Sequence, residues 1–262
     1  MLLRRLTVPL VAALAAVFLT AAPGHAAAAS YTALGDSYSS GTGTREYAYD
    51  SSSCQRSNYA YPVLDAARLG ATLSFAACSG ATVSNVLSGQ LGSLNANTTY
   101  VTVSAGGNDI GWASVITQCA KPWPYTCWAE IDAAENKIRN TLPASLDQLY
   151  ARIRSLAPNA KVVVVGYPRL FNGEECNIIA RISPGEQAEL NAAADLLATT
   201  TQARAAAHGF RFVDARGPFT GHAVCDDVEW LNGTSNPLSE SYHPNRAGHV
   251  GYANLVEPAL RS

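Results

Sequence analysis

A serine stands in the turn-rich run Gly35-Asp36-Ser37-Tyr38-Ser39-Ser40-Gly41, directly after the β-rich stretch from Tyr31 to Leu34. At the carboxyl end of a strand, where α/β sheets bind their ligands, a turn exposes a hydroxyl that a neighbouring base can activate as a nucleophile. Gly-Asp-Ser alone is ordinary turn composition, so the reading depends on partners elsewhere in the chain. A second block, Gly106-Gly107-Asn108-Asp109, follows another β-rich run, Tyr100 to Ser104. Its two glycines let the backbone bend closely, and the Asn108 amide can then aim a donor at a developing oxyanion. Gly80, in Cys78-Ser79-Gly80, can offer a backbone N–H to the same charge. Taken singly, each of these also reads as a plain turn residue. His243, in Glu240-Ser241-Tyr242-His243-Pro244-Asn245, is held in a turn just before a final helical stretch through Leu255, which makes it the best base candidate. His222 falls in a loop near Cys225, His249 inside the last helix and His208 at the end of an earlier one, so these three read as structural or surface residues.

The elements that must position these groups are legible as alternation. Short β-rich runs at Tyr31–Leu34, Thr72–Ala76, Tyr100–Ser104, Lys161–Val165 and Phe210–Val213 are separated by stretches with a period near 3.6. From Trp128 to Leu156 apolar residues recur three or four apart, predicting a long helix or a helical pair broken near Pro143. Ser183, with Pro184 next and Glu186 three residues on, forms a capping box that starts a further helix, whose inner face is Leu190, Ala194, Leu197 and Thr201. Strands alternating with helices predict a parallel sheet covered on both faces.

The bulk of the chain narrows the setting. Arg4 and Arg5, the apolar run Leu6–Leu19 and the small residues up to Ala26 make residues 1–26 read as a secretory signal peptide. The run is shorter than the roughly 20 residues of a spanning helix, so no transmembrane segment is expected in the mature chain, residues 27–262. Without the leader, sixteen basic residues face twenty acidic ones, a net charge of −4, which points away from nucleic acid as a partner. Cys54, Cys78, Cys119, Cys127, Cys176 and Cys225 read as three disulfides in an oxidising compartment, and of the fifteen possible pairings neighbours are favoured: 54 with 78, 119 with 127, 176 with 225. Without a CxxC pair, and with scattered histidines, no metal site is expected.

Together the blocks at Ser37, Gly80, Asn108 and His243 resemble the SGNH, or GDSL, hydrolases, in order and in spacing, over essentially the whole mature chain. Among these, the secreted streptomycete lipases with six cysteines are the nearest likeness. The Gly-x-Ser-x-Gly elbow of the α/β-hydrolases is absent. The resemblance implies a three-layer α/β/α domain and a secreted, extracellular esterase or lipase that acts as a monomer without cofactor on a lipid or other acyl ester. It implies that Ser37 attacks the acyl carbon while His243 accepts its proton. The oxyanion would be held by the N–H groups of Ser37 and Gly80 and by the Asn108 amide. Two positions depart from the family. Tyr38 replaces the usual Leu, a change expected to touch packing more than chemistry. Glu240 stands where the family has the Asp that orients the histidine. The main-chain carbonyl of Ser241 is the other possible acceptor, and it is favoured because a Glu in a polar loop is expected to be solvated. A carbohydrate deacetylase of the same fold is the first rival reading. The second is a binding module that lost catalysis, against which the intact Ser37, Asn108 and His243 speak. Trp112, Trp123, Trp128 and Trp230 could line an acyl groove, although core packing is the commoner fate of such residues.

Overall fold

The runs Tyr100–Ser104 and Lys161–Val165 are rich in β-branched residues with little polar alternation, the pattern of strands buried on both faces. In the computed structural model, which describes residues 28–50, 52–176 and 181–262, these runs lie inside the sheet. The segment read as a signal peptide lies outside the described residues. The five strands are β1 (Ser30–Gly35), β2 (Thr72–Phe75), β3 (Tyr100–Ser104), β4 (Lys161–Val165) and β5 (Arg211–Val213). Every pairing is parallel, in the order β2-β1-β3-β4-β5. The order reverses between β1 and β3, so the connections leaving these two neighbours diverge and open a crevice at their carboxyl ends.

Eight helices accompany the described strands: α1 (Ser37–Ser40), α2 (Tyr61–Leu69), α3 (Val83–Gly89), α4 (Trp112–Cys119), α5 (Trp128–Asn140), α6 (Leu142–Leu156), α7 (Pro184–Ala207) and α8 (Arg246–Arg261). α2 and α8 pack together over one face of the sheet, while α3, α6 and α7 cover the other, with α5 against α6 and α7. The result is the expected three-layer α/β/α arrangement around a single apolar core.

Local signals explain most boundaries. The helical pair breaks at Thr141, with Pro143 in the first turn of α6, where its missing N–H costs nothing. The Ser183–Glu186 capping box opens α7, and His208 caps its end. The last helix runs to Arg261 rather than stopping at Leu255, because its buried face continues through Val256 and Leu260. Disulfides join Cys54 to Cys78, Cys119 to Cys127 and Cys176 to Cys225, the neighbour pairing. No helix among the described residues is long and apolar enough to cross a membrane.

Candidate active site

Ser37 is the first residue of α1, launched from the end of β1 by a turn that the local residues enforce. Gly35 takes φ +126°, and a Cβ there would lie 2.3 Å from the Ser104 carbonyl oxygen on β3, so a side chain is excluded by contact as well as by conformation. Asp36 caps α1, its carboxylate accepting from the Tyr38 amide at 3.0 Å and from the Ser104 hydroxyl at 2.9 Å. The Tyr167 hydroxyl donates to its other oxygen. Burial is the main influence on Asp36 and pushes its carboxyl up to about 6, against the pull of these donors. The nucleophile candidate therefore sits on a short, fully anchored turn.

His243 reaches this turn from the far end of the chain. Its Nε2 lies 2.8 Å from Ser37 Oγ, and its Nδ1 lies 2.9 Å from the Ser241 carbonyl oxygen. With Nδ1 protonated and donating to that carbonyl, Nε2 is left as the acceptor facing the serine. Burial pushes the imidazole down to about 4, partly countered by the Ser241 carbonyl. Gly43 lets the two segments close together: a Cβ there would lie 2.5 Å from the Pro244 carbonyl oxygen and 2.9 Å from His243 Cβ.

Glu240 does not behave as expected for a loop carboxylate. It is 2% exposed, in the short 3₁₀ turn Leu238–Glu240, rather than solvated. The Tyr47 hydroxyl donates to its Oε1 at 2.6 Å, and Arg45 Nε stands 3.5 Å from its Oε2. These partners draw the carboxylate in, while Nδ1 of His243 is bonded to the carbonyl one residue on.

The oxyanion candidates converge on the same cavity as Ser37 and His243, a cleft of about 480 Å³. Asn108 donates from Nδ2 to the Ala81 carbonyl at 2.9 Å, which fixes its amide and leaves a second N–H to aim elsewhere. The carboxylate of neighbouring Asp109 accepts from the Val83 amide at the start of α3, tying the β3 loop to that helix. Gly80 has φ +79° and lines the cavity beside Asn108. Away from this polar end the walls are apolar, formed by Trp112, Ile116, Leu170, Leu197 and Leu238. The arrangement can pass the Ser37 proton to His243 while donors face a developing negative charge beside an apolar channel.

The remaining candidates separate cleanly. Trp112 lines the cleft, Trp230 is half-buried and packs edge-on against Phe219, and Trp123 and Trp128 are exposed. His249 is buried with Nδ1 accepting from the Tyr61 amide, His222 stacks on Trp230, and His208 meets Asp147. Tyr167 was missed from the sequence. Its position just after β4, at the carboxyl edge of a strand, is the signal that could have found it. Among the described residues no cluster of three His, Cys, Asp or Glu side chains is placed to hold a metal ion.

The model of the GDSL-like lipase/acylhydrolase family matches residues 33–250. The chain belongs to that family. Membership makes this GDSL hydrolase an ester hydrolase of the lipase/esterase class. It is 46% identical over 229 residues to Lipase 1 of Streptomyces coelicolor, covering 86% of this chain and 84% of that protein. The extracellular lipase of Streptomyces rimosus superposes with a TM-score of 0.84 at 43% identity, over 88% of this chain and 100% of the other. Phospholipase A1 of Streptomyces albidoflavus does so at 0.83 and 41%, over 90% and 99%.

Proposed function

We propose that this GDSL hydrolase is a secreted lipase or esterase that cleaves carboxylic esters through an acyl-enzyme on Ser37. The observation that carries the reading is the 2.8 Å contact between Ser37 Oγ and His243 Nε2 at the polar end of an apolar cleft. Neutral His243 takes the Ser37 proton as Oγ bonds to the acyl carbon. The carbonyl oxygen becomes an oxyanion held by the N–H groups of Ser37 and Gly80 and by the Asn108 amide. The imidazolium then gives its proton to the leaving alkoxide, freeing the alcohol. Water, deprotonated by His243, attacks the acyl-enzyme in turn, and Ser37 is regenerated with release of the acid.

A base held down at about 4 by burial is neutral over the working range, so it needs no deprotonation before each cycle. The oxyanion forming beside it favours the imidazolium at the moment of transfer. The Ser241 carbonyl keeps the productive tautomer, the role a carboxylate has in the Ser-His-Asp triad.

The apolar walls favour acyl chains longer than acetyl, because an acetyl group would leave the stretch along Trp112, Ile116 and Leu197 without contacts. That weighs against the deacetylase reading. Export by residues 1–26 belongs to the same proposal and agrees with the three disulfides. The test is turnover of nitrophenyl esters from acetyl to dodecanoyl by the wild type and Ser37→Ala. Rates should rise with chain length, and the variant should lose several orders of magnitude while keeping its circular dichroism. Turnover by Ser37→Ala within about tenfold of wild type would sink the assignment.

A further inference from the structure

Tyr38 occupies the position after the nucleophile, where the family usually carries an apolar Leu, and its hydroxyl is placed where no leucine could act. The ring is buried, edge-on to Tyr167 with centroids 5.1 Å apart and tilted against the His243 ring at 5.4 Å. From there the hydroxyl donates to the main-chain carbonyl of Tyr242 at 2.8 Å. Tyr242 lies between Ser241, whose carbonyl receives Nδ1, and His243 itself.

The Tyr242 backbone has φ +61°, a left-handed conformation that strains any residue with a Cβ. It persists where surrounding contacts over-determine it. Asn232 supplies two of these, accepting from the Tyr242 amide and donating its own amide to the His243 carbonyl, both at 2.9 Å. Its side-chain amide also donates to Gly43 O at 2.9 Å and Glu240 O at 3.3 Å. Through Gly43, Asn232 also ties the turn to the segment that follows α1. Tyr38 is different, because it reaches the strained residue from the nucleophile's own helix.

We infer that Tyr38 is a positioning residue whose hydroxyl ties the turn carrying His243 to the segment carrying Ser37 and so sets the contact between base and nucleophile. The inference rests on the reading of Ser37 and His243 as the reacting pair. Relaxing the tether lets the histidine turn drift from the serine while leaving the apolar cleft intact. The loss therefore falls on kcat and on the reactivity of Ser37, not on substrate binding.

Tyr38→Phe removes the hydroxyl alone. On a soluble butyrate ester it should lower kcat roughly threefold to tenfold, the effect of one net hydrogen bond. KM should stay within about twofold, and inactivation by an organophosphonate should slow by the same factor as kcat. Tyr47→Phe is the control: it deletes a hydroxyl on the other side of the same turn, where Tyr47 donates to Glu240 Oε1 at 2.6 Å and accepts from the Gly43 amide at 3.1 Å. It should lower the melting temperature and leave kcat within about twofold. The proposal is overturned if Tyr38→Phe keeps kcat within about twofold, if its loss lies wholly in KM, or if both variants lower kcat equally. Should Tyr38→Phe melt below the assay temperature, the same readings on Tyr38→Leu, the residue usual in the family, decide the matter. Turnover surviving in Ser37→Ala would instead remove the underlying reading, whatever Tyr38→Phe does.

Discussion

Replacing Glu240 by Gln separates two arrangements that look alike in sequence, a triad with a carboxylate and a dyad oriented by a carbonyl. An orienting carboxylate stabilises the imidazolium of the transition state, and removing it from a serine protease costs about 10⁴ in kcat, or about 5.4 kcal/mol. Here Nδ1 is bonded to the Ser241 carbonyl, which the substitution leaves in place. Activity on a short nitrophenyl ester at 25 °C should therefore fall less than about tenfold. Stability should respond instead. The Tyr47 hydroxyl at 2.6 Å loses a charged acceptor for a neutral one, a difference of about 1 kcal/mol. Arg45 adds at most a fraction of that, because its side chain is 63% exposed and 3.5 Å away. A total of about 1–2 kcal/mol lowers the melting temperature of a domain this size by roughly 2–8 °C. Kinetics and a thermal melt followed by circular dichroism read both quantities on one preparation. A loss of about a thousandfold or more, with the melt showing a folded protein, would refute the reasoning and make Glu240 a third catalytic group.

Asn108→Ala should lower kcat by roughly 10²–10³ with little change in KM, and an effect confined to KM would recast Asn108 as a binding or turn residue. The pH dependence of kcat/KM should show no loss at the ordinary histidine pKa of about 6.5. Burial has lowered the His243 pKa, so the base stays neutral, and active, until the pH falls toward about 4. An acid limb at or above 6.5, in protein shown to be folded, would contradict that burial. Asp65, on α2, is buried, neither of its carboxylate oxygens has a hydrogen-bond partner among the described residues, and desolvation raises its pKa to about 8. A carboxyl raised in this way contributes stability fully below its unfolded value near 3.9 and loses it as pH rises through about 8. Asp65→Asn removes the charge, so its advantage over wild type in the unfolding free energy from urea titrations should grow from pH 4 to about 8 and then level, reaching on the order of a few kcal/mol. An advantage that shrinks with pH would show that the carboxylate is compensated.

Much of the chemistry was written locally. A serine, a glycine, an asparagine and a histidine stood out through the order of their four blocks rather than singly, while the turn composition around each is legible from the local sequence alone. The same is true of the Ser183–Glu186 capping box and of the break before α6, which depend on contacts three or four residues apart. Strands alternating with helices required a parallel sheet, since parallel neighbours need crossover connections. The neighbour pairing of cysteines was one choice among fifteen, and the three bridges follow it across separations of 24, 8 and 49 residues.

What surrounds the turns could not be read in this way, because it depends on which distant segments meet. Placing β1 beside β3 brings Ser37 and Asn108 to one crevice, and strand order follows from the packing of helices over the whole sheet. The cleft walls come from α4, the segment after β4, α7 and the turn before His243, four stretches with no common sequence pattern. Glu240 was expected in solvent, yet Tyr47 and Arg45, nearly two hundred residues earlier, fold over it. Glu240 and Ser241 are adjacent in sequence, and the Ser241 carbonyl was favoured only on the expectation that Glu240 is solvated, an expectation that the buried Glu240 does not meet. The left-handed backbone of Tyr242 made the choice: it is held by Asn232 and Tyr38 in the turn where the Ser241 carbonyl meets Nδ1, a geometry that exists only once both ends of the chain have packed together.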